Sequence, residues 1–201
     1  MNLVSPLYSS ALAELKKNIH QHDFDYCYDM LAIVSITDQR LYFLSEGRLQ
    51  ESYPVSTASR GSGNRINSFK TPLGLFEIVE KYGDNASLGT VFKGREPTGE
   101  IAAILKDPND ETESDLITSR ILRLSGLQSG WNRGGDVDTF SRYIYIHGTP
   151  EENRIGRPAS QGCIRMRNKD VAELYECLPL NSVVYIDVNP WETELRPEAQ
   201  T

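Results

Sequence analysis

The sequence predicts an α+β domain that is mainly β, a curved sheet or small sandwich accompanied by two helices. The first observation is a series of β-prone runs separated by turn-like segments, at residues 31–36, 41–44 and 49–55. The second is a set of apolar residues at helical spacing near the N-terminus: Leu7, Ala11, Leu12, Leu15 and Ile19. The third is a later apolar stripe, in a helix expected at residues 168–178: Val171, Leu174, Tyr175 and Leu178.

The three early runs are expected to form an antiparallel meander, and further strands follow. These are predicted at residues 75–79, 117–124, 143–147 and 183–188. Residues 81–114 are expected to form a long loop, either a wall or lid of a cleft or plain surface. Asn168 is the expected N-cap of the later helix. The chain therefore divides into an N-terminal helical extension (1–26), a main domain (27–188) and a C-terminal tail (189–201).

Composition and charge exclude several classes of protein. The chain has 201 residues, 39% hydrophobic and 24% charged, which fits one soluble domain. A net charge of −7 without a Lys/Arg cluster argues against a nucleic-acid partner. No apolar run approaches the roughly 18 residues of a membrane span. Three cysteines make no disulfide framework, and no second Cys/His pair stands at zinc-ligand spacing, so neither a metal nor a cofactor is expected. The oligomeric state does not follow from the sequence.

The N-terminal residues lead us to expect a cytoplasmic protein. Residues 1–19 lack an early positive charge, and Lys16 and Lys17 follow the apolar residues instead of preceding them. This arrangement does not fit a signal peptide. A periplasmic location would follow if a leader had been removed.

The segment with the most informative chemistry is IHGTPEENRIGRPASQGCIRM, residues 146–166. It places His147 at the end of a predicted strand and Cys163 sixteen positions later. A thiol needs a base to become a thiolate at neutral pH, and an imidazole supplies one. Gly162 allows a sharp turn that directs amide N–H groups at a developing oxyanion, and one such donor is worth about 3–4 kcal/mol in other acyl-transfer enzymes.

Other interpretations of these residues stay open. Cys163 can be a buried structural cysteine and His147 a histidine with satisfied hydrogen bonds. A thiol peptidase of papain-like fold would carry its cysteine ahead of its histidine, at the start of a helix. Here the order is reversed and the chain is rich in predicted strands.

Two motifs, HGT at residues 147–149 and SQGCIRM at residues 160–166, resemble the catalytic signature of the L,D-transpeptidase (YkuD) family. In that family His-Gly-Thr is followed by Ser-His-Gly-Cys-Ile-Arg-Met. The resemblance extends to three further blocks: LAIVSITDQRLYFLSEGRLQESYPVST, KTPLGLFEI and SRILRLSGLQSGWNRGGDVDTFSRYIYIHGTPEE. It covers roughly residues 30–188 and implies a YkuD-like fold.

The resemblance implies a catalytic group of four residues. Cys163 corresponds to the family's nucleophile and His147 to its base. The backbone carbonyl of Gly148 would orient the imidazole, and Gly162 would shape the turn at the nucleophile.

The remaining motif residues are expected on the substrate side of the site. By resemblance Ser160 shapes the nucleophile loop, and Arg165 props the site or meets a substrate carboxylate. Tyr145 is expected to share a strand face with His147 and to line the donor site, with core packing as the alternative. Thr149 follows the histidine within the motif. Gln161 stands where the family has a histidine, and because an amide does not titrate, any proton-handling role of that position is in doubt.

The resemblance also implies a reaction on peptidoglycan stem peptides or muropeptides. The thiolate attacks the carbonyl at the L-centre of a diamino acid, D-Ala leaves, and a thioester forms. With a cytoplasmic location, hydrolysis is the expected second step, which makes the protein an L,D-carboxypeptidase in murein recycling. The alternatives are an exported L,D-transpeptidase that makes 3-3 crosslinks or exchanges D-amino acids, and an inactive peptidoglycan-binding domain.

Overall fold

A ten-stranded β-sheet is the main structural element of the described part of the protein. The computed structural model describes residues 13–15, 17, 27–107, 109–112 and 115–195. The strands are β1 (Cys27–Ser35), β2 (Arg40–Ser45), β3 (Arg48–Ser56), β4 (Gly74–Tyr82), β5 (Thr90–Lys93), β6 (Glu96–Ile101), β7 (Ile117–Gly126), β8 (Tyr145–Gly148), β9 (Ile164–Met166) and β10 (Ser182–Asp187). Within residues 27–195 as described, the helices are α1 (Asn168–Cys177) and α2 (Glu192–Leu195), with 3-10 turns at Gly135–Val137 and Glu152–Arg154. The predicted mainly β, α+β class is confirmed.

The sheet closes on itself. Its strand order is β4-β10-β1-β2-β3-β9-β8-β7-β5-β6, and a further pairing of β4 with β7 joins the first eight strands of that order into a ring. The predicted meander is confirmed as the antiparallel neighbours β1, β2 and β3. In contrast, β8 and β9 are parallel neighbours, which requires a long crossover connection between them.

Helix α1 packs its apolar stripe into the main core. Val171, Leu174 and Leu178 are fully buried and Tyr175 is 2% exposed, as the helical spacing predicted. They belong to a cluster that includes residues of several strands of the ring: Ala32, Leu41, Val55, Phe76, Leu122, Ile146, Ile164 and Val184. Burying a side chain of this size stabilises the fold by about 1.5–3 kcal/mol.

The start of α1 differs from the prediction that Asn168 is its N-cap. Arg167 takes the N-cap position without a side-chain cap, and Asn168 is the first helical residue. The carboxylate of Glu152 instead accepts the backbone N–H of Asn168 at 2.8 Å. The Asn168 side chain turns to the sheet, where its oxygen accepts hydrogen bonds from Thr118 (2.6 Å) and Ser119 (2.5 Å). A buried partner therefore competes with the local capping bond.

A second core cluster joins both ends of the described chain to the sheet. Of the predicted N-terminal helix, residues 13–15 and 17 are described and are helical, and Leu15 is buried; Leu7, Ala11, Leu12 and Ile19 lie outside the described residues. Leu15 shares its cluster with Trp191 and Leu195, which follow β10. Among the described residues, we find no helix with the length and apolar character needed to cross a membrane.

Two segments depart from the sequence-based expectations. Residues 81–114, expected as a loop, contain the hairpin β5–β6. Every residue of β6 is exposed. The strand therefore lacks the alternation of apolar and polar residues by which a strand is recognised in a sequence. The strand expected from Tyr143 begins at Tyr145. Tyr143 has a positive φ of 54° and is 55% exposed, which removes it from the alternating face of β8.

The burial of Leu174 gives a prediction for stability. Replacing Leu174 by Ala leaves a cavity in the core under α1 and is expected to lower the free energy of unfolding by about 2–5 kcal/mol. Urea unfolding followed by circular dichroism measures the change. Lys169→Ala, exposed on the same helix, is the control and should change the free energy by less than about 0.5 kcal/mol. Equal values for the two variants would contradict the packing described for α1.

Candidate active site

Cys163 lies directly before β9, against the neighbouring strand β8. Ile164 is in register with Ile146, so the cysteine stands beside the start of β8. The backbone N–H of Tyr145 donates to Sγ at 3.4 Å, and the thiol is 3.5 Å from the carbonyl oxygen of Tyr143, to which it donates. The side chain is partly exposed. The thiol is therefore fixed to β8 while one side of the residue still meets solvent.

His147 points from β8 to the same side as the thiol. In a strand, Tyr145 and His147 share a face. The Tyr145 ring belongs to an apolar cluster against which Cys163 packs, and that cluster also contains Phe92 and Ile121. The structure thus brings the imidazole and the thiol to one face of two adjacent strands. Gly148, expected to orient the imidazole, has its carbonyl oxygen 2.7 Å from Nδ1 of His147.

This contact decides which nitrogen of His147 can act as a base. A carbonyl oxygen only accepts, so Nδ1 carries the proton and donates to Gly148. Nε2 is left with a free lone pair. Burial lowers the pKa of His147, outweighing the opposite effects of the Asp115 carboxylate and the Gly148 carbonyl, and the charge of Arg165 lowers it further. The imidazole is therefore neutral near pH 7 and can take up a proton.

The Cys163 thiol is also neutral at rest. Burial raises the pKa of the thiol to about 12 and outweighs the hydrogen bond from the Tyr145 amide, which lowers it. Asp115 raises this pKa further, whereas the positive charges of Arg165 and Arg142 lower it. Cys163 and His147 are therefore both neutral near pH 7.

Ser160 and Gly162 shape the turn that carries the cysteine. The fully buried Ser160 hydroxyl donates to the carbonyl of Cys163 at 2.6 Å and accepts the N–H of Gly162 at 3.2 Å. Gly162 has a φ of 132°, and a Cβ there would lie 3.3 Å from Ile144. A side chain at this position would be both strained and crowded. The Gly162 amide already has a partner, so it is not a free donor for an oxyanion.

Arg165 is held inside the protein by two carboxylates. Its guanidinium is 2.7 Å from Glu151 and 2.8 Å from Asp115, and the arginine side chain is 4% exposed. Because β9 pairs with β8, Arg165 is the register partner of His147. Arg165 therefore links Glu151 and Asp115 to the position in β9 that lies beside His147.

The other expected site residues fall into buried and exposed positions. Thr149 is 1% exposed, and its hydroxyl accepts the N–H of Glu151. Gly148 is also buried, where a Cβ would meet the Thr118 carbonyl at 2.6 Å. Tyr145 is 5% exposed, and its hydroxyl accepts a hydrogen bond from Arg95 at 3.3 Å. Gln161 is exposed on the loop that precedes Cys163.

Three residues of the site were not singled out from the sequence. Thr71 donates to the carbonyl of Gly162 at 3.1 Å. Arg142 donates to the carbonyl of Lys70 at 2.6 Å, and its charge acts on the thiol. Asp115 acts on both the thiol and the imidazole. Thr71 and Arg142 lie inside sequence blocks that resemble the family, and this resemblance could have identified them. Asp115 lies outside these blocks, so no sequence signal pointed to it.

The resting state of the thiol predicts its reactivity. Since the thiolate reacts with iodoacetamide and the pKa of Cys163 is raised to about 12, alkylation should accelerate about tenfold per pH unit from about pH 7 to about pH 9. Peptide mass spectrometry at a series of pH values measures the rate at Cys163. A small free thiol, whose rate levels off near its ordinary pKa of about 8.5, is the control. A plateau near neutral pH would instead indicate a thiolate–imidazolium pair and contradict the neutral resting state.

Comparisons with known proteins show what this chain is similar to. The family model of the L,D-transpeptidase catalytic domain (YkuD) matches residues 29–186. The putative L,D-transpeptidase YkuD of Bacillus subtilis is 50% identical over 61 residues, which cover 28% of this chain and 37% of that protein. The probable L,D-transpeptidase ErfK/SrfK of Salmonella typhimurium is 39% identical over 57 residues, 28% of this chain and 18% of that protein. The chain therefore matches well under half the length of these curated relatives.

Solved structures share the fold. An L,D-transpeptidase from Xylanimonas cellulosilytica superposes with a TM-score of 0.51 at 15% identity, over 82% of this chain and 63% of that one. One from Mycobacterium smegmatis gives 0.50 at 16% identity, over 79% and 58%. At such identities the likeness concerns the fold alone. The family model, in contrast, spans most of the described sheet and both motifs, HGT and SQGCIRM, so this chain belongs to the L,D-transpeptidase catalytic domain (YkuD) family.

Proposed function

We propose that this protein is a cysteine acyltransferase that acts on the tetrapeptide stems of peptidoglycan, with Cys163 as nucleophile and His147 as base. The observation that carries the proposal is the pairing of β8 with β9. It brings a neutral thiol and a neutral imidazole to one face, and the imidazole keeps Nε2 free because Nδ1 is bound to Gly148. Membership of the L,D-transpeptidase family supplies the substrate class.

The first step follows from the resting protonation states. Sγ attacks the carbonyl carbon at the L-centre of the diamino acid while its proton passes to Nε2 of His147. The bond from that carbon to the D-Ala nitrogen then breaks, and the imidazolium returns the proton to the leaving amine. A thioester on Cys163 and free D-Ala result. No net proton is consumed, so His147 can serve as base and then as acid.

The turn at Gly162 supports the charge that develops on the substrate oxygen. The N–H of Gly162 already donates to the Ser160 hydroxyl. We therefore assign the stabilisation of the oxyanion to the backbone N–H of Cys163. The positive φ of Gly162 sets the direction of that next amide. One donor of this kind contributes about 3–4 kcal/mol in related chemistry. The role of Gly162 is thus to orient its neighbour.

Arg165 serves this mechanism as a positioning residue. Its two ion pairs anchor Glu151 and Asp115 beside the imidazole strand. Removing one member would leave a buried charge without its partner, which costs about 3–5 kcal/mol in other proteins. Such a cost explains why a guanidinium with these contacts is poorly suited to meet a substrate carboxylate as well.

The second step depends on what accepts the acyl group. We assign it to water, which needs no binding site of its own, so that the product is a tripeptide and the activity is an L,D-carboxypeptidase. A cytoplasmic setting with soluble muropeptides as substrates belongs to this proposal. An amine from a second stem would instead give a 3-3 crosslink, and a free D-amino acid would give exchange.

The nucleophile is tested by substitution of the two described free cysteines. Cys163→Ala should abolish D-Ala release from a disaccharide-tetrapeptide and remove the acyl-enzyme from the intact-protein mass spectrum, because no other group attacks the carbonyl. Cys177→Ala is the matched control and should keep the wild-type rate, since Cys177 lies at the end of α1. Release of D-Ala by Cys163→Ala at the wild-type rate would eliminate the assignment. A wild-type protein that binds the muropeptide without releasing D-Ala would favour the inactive binding domain.

The acceptor is tested by the products of the wild-type protein. With disaccharide-tetrapeptide alone we expect the tripeptide product, because water resolves the thioester. With added D-Met the exchanged tetrapeptide should stay the minor species. Liquid chromatography with mass spectrometry separates these products from a crosslinked dimer. The dimer as dominant product would replace the carboxypeptidase assignment by transpeptidation and leave the thioester step intact.

A further inference from the structure

The β5–β6 hairpin carries an arginine to the edge of the site. Lys93 pairs with Glu96, so Gly94 and Arg95 form the two-residue turn between them. Both turn residues have positive φ, 59° at Gly94 and 72° at Arg95. A long side chain is uncommon in this conformation, which glycine or asparagine adopts at lower cost. The turn therefore holds an arginine where local structure alone favours a smaller residue.

Apolar packing connects the hairpin to Cys163, the proposed nucleophile. Phe92 of β5 packs in the same cluster as Tyr145, against which the side chain of Cys163 lies. Within the sheet, β5 pairs with β7, and β7 pairs with β8, which carries His147. The position of Arg95 relative to the thiol is therefore set by the sheet.

Aromatic side chains and one hydroxyl surround the Arg95 guanidinium. Nη1 donates to the Tyr145 hydroxyl at 3.3 Å, and Cζ lies 5.7 Å from the ring centre of Tyr143 and 5.9 Å from that of Tyr82. The nearby carboxylate of Glu80 is engaged by Arg123 and by the Tyr82 hydroxyl, each at 2.8 Å. The ion pairs of the described residues thus leave Arg95 with no carboxylate partner.

Tyr145 spans the distance between the Arg95 guanidinium and the Cys163 thiol. Its amide donates to Sγ of Cys163, and its hydroxyl, at the far end of the same residue, contacts Arg95. A stem peptide with its reacting carbonyl at Sγ has two free carboxylates near that point. The D-Ala carboxylate is one residue away, at most about 3.6 Å of chain. The carboxylate of the second centre of diaminopimelate lies at the end of a long side chain, comparable in reach to tyrosine.

We propose that Arg95 is a specificity-determining residue that binds the carboxylate at the far end of the diamino acid side chain. The protein then selects stems that contain diaminopimelate over stems that contain lysine, which has no carboxylate there. An arginine binds a carboxylate through two parallel N–H donors. This inference rests on the proposed function and names the substrate class of the same site.

The test compares three substrates on three proteins. The substrates are free tetrapeptides with meso-diaminopimelate, with the same residue amidated at its distal carboxylate, and with lysine. The proteins are the wild type, Arg95→Gln, and Lys93→Gln as a matched control that removes an exposed positive charge from the same hairpin. D-Ala release gives kcat and KM for each pair. Melting temperatures establish that all three proteins are folded.

We expect the wild type to prefer the diaminopimelate substrate over both others by about tenfold to a hundredfold in kcat/KM, mainly through KM. Arg95→Gln should lose this preference and keep the wild-type rate on the amidated substrate, whereas Lys93→Gln should behave as the wild type. Equal use of the three substrates by the wild type would overturn the inference. So would a preference that survives in Arg95→Gln, or an equal loss on all substrates, which would limit Arg95 to supporting Tyr145.

A binding measurement separates the failure of this inference from the failure of the proposed function. Calorimetry with Cys163→Ala compares the acid and amide tetrapeptides without any chemistry. Tighter binding of the acid, lost when Arg95→Gln is added, supports the inference even if the wild type releases no D-Ala. Equal binding of acid and amide overturns it even if the wild type is an active enzyme.

Discussion

The parallel pairing of β8 with β9 is the constraint on which the site depends. It sets His147 opposite Arg165 and places Cys163 one residue before the paired stretch. Parallel neighbours cannot be joined by a tight turn, so the chain must cross over between them. That crossover, residues 149–163, contains Glu151 and Ser160 as well as Cys163, the proposed nucleophile. The segment that makes the topology possible therefore also contains groups of the proposed site.

The crossover is held in place by polar contacts that face inward. Ser160 fixes the turn through the Cys163 carbonyl, and Glu151 binds Arg165. Further hydrogen bonds reach it from the segment that follows β3, such as the N–H of Ser59 donating to the carbonyl of Ser160 at 3.0 Å. The side chains of Ser160, Glu151 and Arg165 are buried, so a broken contact would leave a polar atom away from water. Rigidity in this loop follows from that cost.

The sequence was sufficient for the elements whose pattern is local. The meander of β1 to β3 and the stripe of α1 follow from alternation and helical spacing, and the spacing of His147 and Cys163 was enough to suggest chemistry. The β5–β6 hairpin could not be found in this way, because every residue of β6 is exposed and the strand therefore shows no apolar pattern. Arg95 was missed with it.

Contacts between residues that are far apart in the chain could also not be predicted from a local sequence pattern. Asp115 and Arg142 act on the thiol of Cys163 only because the ring of strands brings their segments together. Asn168 shows the same limit at a helix end, where a local rule favoured a cap but the side chain found partners on β7. Contacts made by closure of the sheet carry no periodic signature.

Closure of the ring through β4 and β7 leaves β6 as an edge strand, and among the described strands none pairs with its outer side. Such edges invite addition of a foreign strand and, from there, aggregation. This edge resists it: Pro97 offers no N–H to an incoming strand, and Glu96 and Glu100 oppose it with charge and hydration. The hairpin that positions Arg95 can thus stay open to a peptide ligand while being a poor template for amyloid-like growth.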